Sequence, residues 1–125
     1  MAYNNRGNLL LSIGQFGEAM KDFDRALLLA PGYAAAYSNR ANAELKLGKP
    51  GEAIVDFTKA IELMPASAAP LSGRGLAHLA TGKPHAAIRD FSRAVSADAR
   101  FASAYRNRAE ARIAVGERDE AIEDL

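Results

Sequence analysis

The chain has 125 residues, 49% hydrophobic and 25% charged, and its 16 lysines and arginines against 15 acids leave a net charge of +1. That balance excludes a long-range field able to recruit nucleic acid or an anionic membrane, and the absence of cysteine excludes disulfides, thiolate zinc sites and cysteine nucleophiles. No apolar run reaches the length of a membrane span and the opening MAYNNRGN lacks the regions of a signal peptide, so a cytoplasmic location is expected.

Taken in order, the chain falls into four stretches of one design, expected at residues 1–33, 34–67, 68–101 and 102–125. The first is short at its front. A helix is expected from about Tyr3 to Ser12, a turn at Gly14 and Gln15, and a second helix from about Gly17 to Leu29, closed by Pro31-Gly32. In the second stretch Tyr37, Ala41, Glu44 and Leu45 step by three and four residues, as do Ala53, Phe57, Ala60 and Ile61, which is the spacing of two amphipathic helices. Gly48 stands where a left-handed C-cap residue is wanted, Pro50 stops the first helix and Pro65 closes the second. So short a connection makes the two helices antiparallel neighbours. In the third stretch Pro70 fits a first helical turn, but Gly73 and Gly75 fall inside the first helix, each at a cost of about 1 kcal/mol relative to alanine. Leu71 replaces the tyrosine there and Ala99 the closing proline. The fourth restores Tyr105 and reaches Leu125 within its second helix.

These stretches are copies. Gly14, Gly48, Gly82 and Gly116 lie 34 residues apart, and the same interval relates Ala19, Ala53, Ala87 and Ala121, and Phe23, Phe57, Phe91 and Leu125. One hairpin cannot bury its own apolar face, so copies must stack, with aromatic rings filling spaces between alanines. With a helix pair per unit and a signature carried by Tyr37, Ala41, Gly48, Ala53, Phe57, Ala60 and Pro65, the chain resembles the tetratricopeptide repeat along its whole length. The resemblance implies an all-α fold, a right-handed α-solenoid of antiparallel helix pairs, as one array over residues 1–125. Such arrays normally finish with a polar capping helix, and none is visible. A piece of a longer protein is therefore expected, or a homo-oligomer formed through bare array ends, which a light-scattering mass would distinguish.

Arg6, Arg40, Arg74 and Arg108 each precede an aspartate by 16 residues, at Asp22, Asp56, Asp90 and Asp124. A matched acid in every copy points to structural ion pairs, within a unit or between neighbours, for which the guanidinium fork is suited. A basic stripe for a ligand is the alternative. His78 and His85 have no metal or catalytic spacing, Glu18, Glu52 and Glu120 sit in first helical turns where they oppose the dipole, and no phosphate-binding loop is present. The chain is therefore read as no enzyme, with no cofactor and no metal.

In tetratricopeptide proteins the first helix of each pair lines a groove that holds a peptide segment. Transferred residue by residue, the groove places hold Asn4, Asn5, Asn8 and Ser12; Ser38, Asn39, Asn42 and Lys46; Ser72, Gly73, Leu76 and Ala80; and Arg106, Asn107, Glu110 and Ala114. An amide side chain both donates and accepts, so a row of them can pair with a peptide backbone without reading its sequence. Asn5, Asn39 and Asn107 form such a row, broken at Gly73, similar at one residue per repeat to the asparagine ladder of O-linked N-acetylglucosamine transferases. The competing reading is that these amides are solvated or bond the neighbouring helix. The clamp with which heat-shock co-chaperones grip a terminal carboxylate maps onto Asn4, Asn8, Asn39, Ala69 and Gly73. Both asparagines match and all three cations are missing, so a buried carboxylate would go unbalanced.

The resemblance thus implies a noncatalytic protein–protein interaction scaffold holding a peptide or protein segment in its groove, with no nucleic-acid or membrane partner. The alternative is the substrate-recognition or regulatory arm of a larger enzyme such as a glycosyltransferase or peptidase. RNA binding by a related helical repeat fits less well, since those arrays are more basic and repeat every 35 residues or so. Its two glycines mark the first helix of the third copy as the least stable, and hydrogen exchange is expected to show that helix opening first.

Overall fold

The computed structural model describes residues 2–125, which form eight α-helices: α1 (Ala2–Ser12), α2 (Phe16–Leu29), α3 (Ala34–Lys46), α4 (Pro50–Leu63), α5 (Ala68–Ala80), α6 (Pro84–Ala97), α7 (Ala102–Ala114) and α8 (Arg118–Asp124). No strand occurs among the described residues. The chain packs as two compact units, Met1–Pro65 and Ala66–Leu125. In the first, α1 pairs with α2 and α3 with α4, and the hairpins meet where α2 lies on α3 and α1 beside α3. The second repeats this plan, with α6 on α7 and α5 beside α7.

Each hairpin turns on a glycine at positive φ: Gly14 at 86°, Gly48 at 75°, Gly82 at 74° and Gly116 at 85°. The left-handed residue lets two following amides satisfy carbonyls left over at the helix end. In α3, Gly48 N–H reaches the Leu45 carbonyl at 3.1 Å and Lys49 N–H the Glu44 carbonyl at 2.8 Å, and the same two bonds recur at the other three turns. Pro50 and Pro84 are the first residues of α4 and α6. A proline there loses no helical hydrogen bond, so it begins the second helix as well as ending the first.

The core runs along the helix seams. Ala19 and Phe23 of α2 enclose Ala43 of α3, and Ala87 and Phe91 of α6 enclose Ala111 of α7. A second cluster joins Ala26 and Leu27 of α2 to Ala36 of α3, with Tyr33 and Tyr37 packed on it. Phe23, Phe57 and Phe91 are the largest of the fully buried side chains.

Glycine in α1 and α5 has a steric reason. A Cβ on Gly7 would stand 2.5 Å from Phe23, and one on Gly75 2.5 Å from Phe91. Seven of the thirteen residues of α5 are buried, more than in any other of the helices α1 to α7, which weighs against the two glycines in the expectation that α5 opens first. The backbone cost of Gly75 is offset by the ring it admits.

Gly75→Ala is therefore expected to lower stability in urea titration by about 1–3 kcal/mol, as overpacking does, despite a gain of about 1 kcal/mol in helix propensity. In a Phe91→Leu background the same change is expected to cost less, since the obstructing ring edge is gone. A stabilised single variant would show that Phe91 retreats freely.

Candidate interaction face and its charge network

The four arginines and their aspartates meet inside their own hairpins. Arg6 Nε and Nη2 donate to Asp22 at 2.8 and 2.7 Å, Arg40 to Asp56 at 2.8 and 2.8 Å, and Arg74 to Asp90 at 2.8 and 2.8 Å. Arg108 forks onto Asp124 in the same way, with Nε at 2.9 Å. All four carboxylates are buried. The bond to Arg6 holds the Asp22 carboxyl below its ordinary range against the opposing effect of burial. Three of these guanidinium groups also lie over the tyrosine three residues earlier, Arg6 over Tyr3, Arg40 over Tyr37 and Arg108 over Tyr105, at 5.5–5.6 Å from the ring centres.

The third guanidinium nitrogen ties hairpin to hairpin. Arg40 Nη1 donates to Asp24 on α2 at 2.9 Å, and Arg108 Nη1 to Ser92 on α6 at 3.1 Å. The arginine row is thus spent on the fold, which leaves little for a basic ligand-binding stripe.

One further position reaches the aspartate in three of the four hairpins: Glu44, His78 and Arg112, 34 residues apart, with Leu10 at the same place in the first. Arg112 donates to Asp124 at 2.8 Å, and His78 Nε2 lies 3.5 Å from Asp90. Burial pushes the His78 imidazole below its usual range, so it is neutral at pH 7. Glu44 is buried against Asp56, sharing a hydrogen bond with it, and its Oε1 meets no partner among the described residues. Desolvation first, and the neighbouring Asp56 second, push its carboxyl up to about 9. It is therefore protonated at pH 7 and donates to an aspartate already held by Arg40.

The residues assigned to the groove separate by environment. Asn4 is buried: its Nδ2 donates to the Tyr33 hydroxyl at 3.1 Å and its Oδ1 accepts from Asn39 Nδ2 at 2.9 Å. Asn4, expected in the groove, thus bonds across the seam between the first two hairpins. Tyr33, which closes it off, precedes α3 and was not among the expected site residues. Asn39 is half-buried beside it, as are Ser38 and Asn107. Asn5, Asn8, Ser12, Asn42 and Lys46 are exposed on α1 and α3. On α5 and α7, Ser72 and Gly73 are buried, while Leu76, Ala80, Arg106, Glu110 and Ala114 are exposed. Asn8 and Asn42 follow the bonded pair Asn4–Asn39 by one helical turn, so they flank it along α1 and α3. No group of three metal-ligating side chains occurs among the described residues, and no helix there is long and apolar enough to cross a membrane.

Family models described as tetratricopeptide repeat match residues 1–33, 34–67 and 73–125. The fold is similar to the crystal structure of MamA, with a TM-score of 0.91 at 24% identity over 98% of this chain and 71% of that one. It is similar to the Sgt2 TPR domain from Aspergillus fumigatus, at 0.89 and 21% over 94% and 80%. The second TPR of Spaghetti (RPAP3), bound to the HSP90 peptide SRMEEVD, matches at 0.72 and 31% over 73% of this chain and 84% of that one. No match is found among curated proteins.

The Glu44 shift makes stability depend on pH. A carboxyl raised in the folded state contributes stability that is complete below its unfolded value near 4.5 and is lost as pH rises toward 9. Glu44→Gln keeps a donor for Asp56 without the charge. The unfolding free energy from urea titration is expected to fall by several kcal/mol between pH 5 and 9 in the parent relative to this variant; parallel curves would show that Glu44 titrates normally.

Proposed function

The chain belongs to the tetratricopeptide repeat family, and from that premise we propose that it is a noncatalytic interaction module that lays an extended segment of a protein partner along the amide-bearing face of α1 and α3. The supporting observation is a division of labour. The arginine row and its aspartates are bonded within the fold, whereas Asn5, Asn8 and Asn42 are exposed. Each exposed amide offers a donor and an acceptor to a passing backbone. Lys46 at the end of α3 adds one cation for an acidic side chain. The first helices of the second unit offer different chemistry, Leu76 on α5 and Arg106 and Glu110 on α7, suited to reading side chains. The reading treats residues 1–125 as one array of four repeats.

A peptide terminus is a poor candidate for this face. Where co-chaperone clamps carry cations, this chain has Asn4 and Gly73, both buried, and the exposed Ala69. A carboxylate brought there would lose water without gaining a positive partner.

Two results are expected. Peptides selected from a random display library should shift the Asn8 and Asn42 side-chain amide signals in an NMR titration, and the double change Asn8→Ala, Asn42→Ala should weaken them about tenfold or more, equivalent to at least about 1.4 kcal/mol. Peptides that instead perturb α2 and α4 and tolerate the double change would overturn the reading. SRMEEVD with a free and with an amidated terminus should bind alike and weakly, by fluorescence polarisation; a strong preference for the free carboxylate would contradict the cation argument.

A further inference from the structure

The exposed faces of the second helices are not alike in charge, and comparison of the copies isolates α6. On α2 acids and cations alternate as Glu18, Lys21, Asp24 and Arg25, all exposed, and Lys21 bonds Glu18 at 3.3 Å while Arg25 reaches Asp22 at 3.5 Å. On α4 the exposed charges are Glu52, Lys59 and Glu62. At the places that hold these acids α6 has Ala86, Ser92 and Ser96. Its cations remain: Arg93 stands at the place of Arg25 and Lys59, Arg89 at that of Lys21 and Val55, and Lys83 and Arg100 flank the helix, all four exposed.

These arginines are a different set from the row bonded within the fold. Among the described residues neither Arg89 nor Arg93 reaches a carboxylate. Asp90, the one acid of α6, is buried under the Arg74 fork, and Asp98, just past the helix, accepts from the Arg100 backbone N–H at 3.0 Å. Four residues apart, Arg89 and Arg93 lie on one line of the helix, about 6 Å from each other along its axis. His85 and Ser96 continue that line at either end without adding a negative charge. Like charges at this spacing repel, and an anion brought from outside relieves them.

The positive face is one helix wide. On α8, in the same unit, the places of Ala86 and Arg89 hold the exposed Glu120 and Glu123. A broad polyanion such as a nucleic-acid duplex or a bilayer would meet repulsion there beside the attraction, whereas a single narrow segment would not.

We propose that the exposed face of α6 is a second partner site, separate from the groove, and that it takes an acidic helical segment of a protein partner. Carboxylates one helical turn apart match the spacing of Arg89 and Arg93, whose forks bind each of them through two hydrogen bonds. Lys83 and Arg100 attract the ends of the segment. The chain then holds two segments at once, one on the amides of the first helices and one on α6.

The probe is a fluorescein-labelled, alanine-based helical peptide with glutamate at every fourth residue, titrated with the full chain by fluorescence anisotropy. It is expected to bind, less tightly as salt rises to physiological strength, and its glutamine counterpart is expected not to. A scramble with the same glutamates spread around the helix is expected to bind more weakly. The double change Arg89→Glu, Arg93→Glu alters exposed side chains, keeps the helical circular dichroism of the parent, and is expected to weaken the glutamate peptide about tenfold or more. Lys49→Glu, Lys59→Glu changes the net charge equally at exposed places of the second hairpin and is expected to leave binding nearly unchanged. Arg89→Ser, Arg93→Ser serves if the reversed pair loses its helical signal. Absence of binding, equal binding of the scramble, or an equal loss in both double variants would each overturn the proposal. So would tighter binding of polyuridylate or of phosphatidylserine vesicles through the same two arginines.

Discussion

An aspartate withdrawn from water between two helices needs a cation at hydrogen-bonding distance, and in every hairpin the guanidinium 16 residues earlier supplies it. Much else depends on that fork. It fixes the pairing of first and second helices, because arginine and aspartate come from opposite members. The guanidinium plane gives the preceding tyrosine a charged surface to lie on. Its remaining nitrogen bonds the adjacent hairpin at Asp24 and at Ser92. A lysine, with a point charge and no planar fork, could not do all three at once. The price of burial is set against the geometry: a truncated partner would leave the other charge stranded, which costs several kcal/mol.

The period and the 16-residue spacing made the hairpins and the Arg–Asp pairs legible, because both recur wherever a copy recurs. What did not recur was invisible. Leu10, Glu44, His78 and Arg112 occupy one place with four chemistries, so a search for agreement passes over it, although the side chains at three of those places interact with the aspartate. Asn4 matched a groove place by register, but Tyr33 comes from the link between hairpins and seals it. Propensity counted Gly75 as a weakness since the alanine scale holds no information about a ring 2.5 Å from an absent Cβ.

Polar character is distributed by role. Charges that could have formed a ligand stripe are consumed between helices, and the amides left on α1 and α3 carry no net charge. On the proposed reading, such a face gains little from long-range attraction and depends on hydrogen bonds made at contact. The first helices of the second unit, with Leu76, Arg106 and Glu110, present a more selective chemistry on the same secondary structure.

Gly7 and Gly75 admit the edge of a phenylalanine, whereas Ala41 and Ala109 hold the same place in the other two hairpins. The hairpins are therefore not interchangeable parts, although they share one outline. Grafting the α3 sequence in place of α1 would set a methyl group against Phe23. Duplication or exchange of modules can succeed here only when the small residue and its ring travel together, which makes the whole helix pair, rather than the single helix, the smallest piece that can be inherited or engineered.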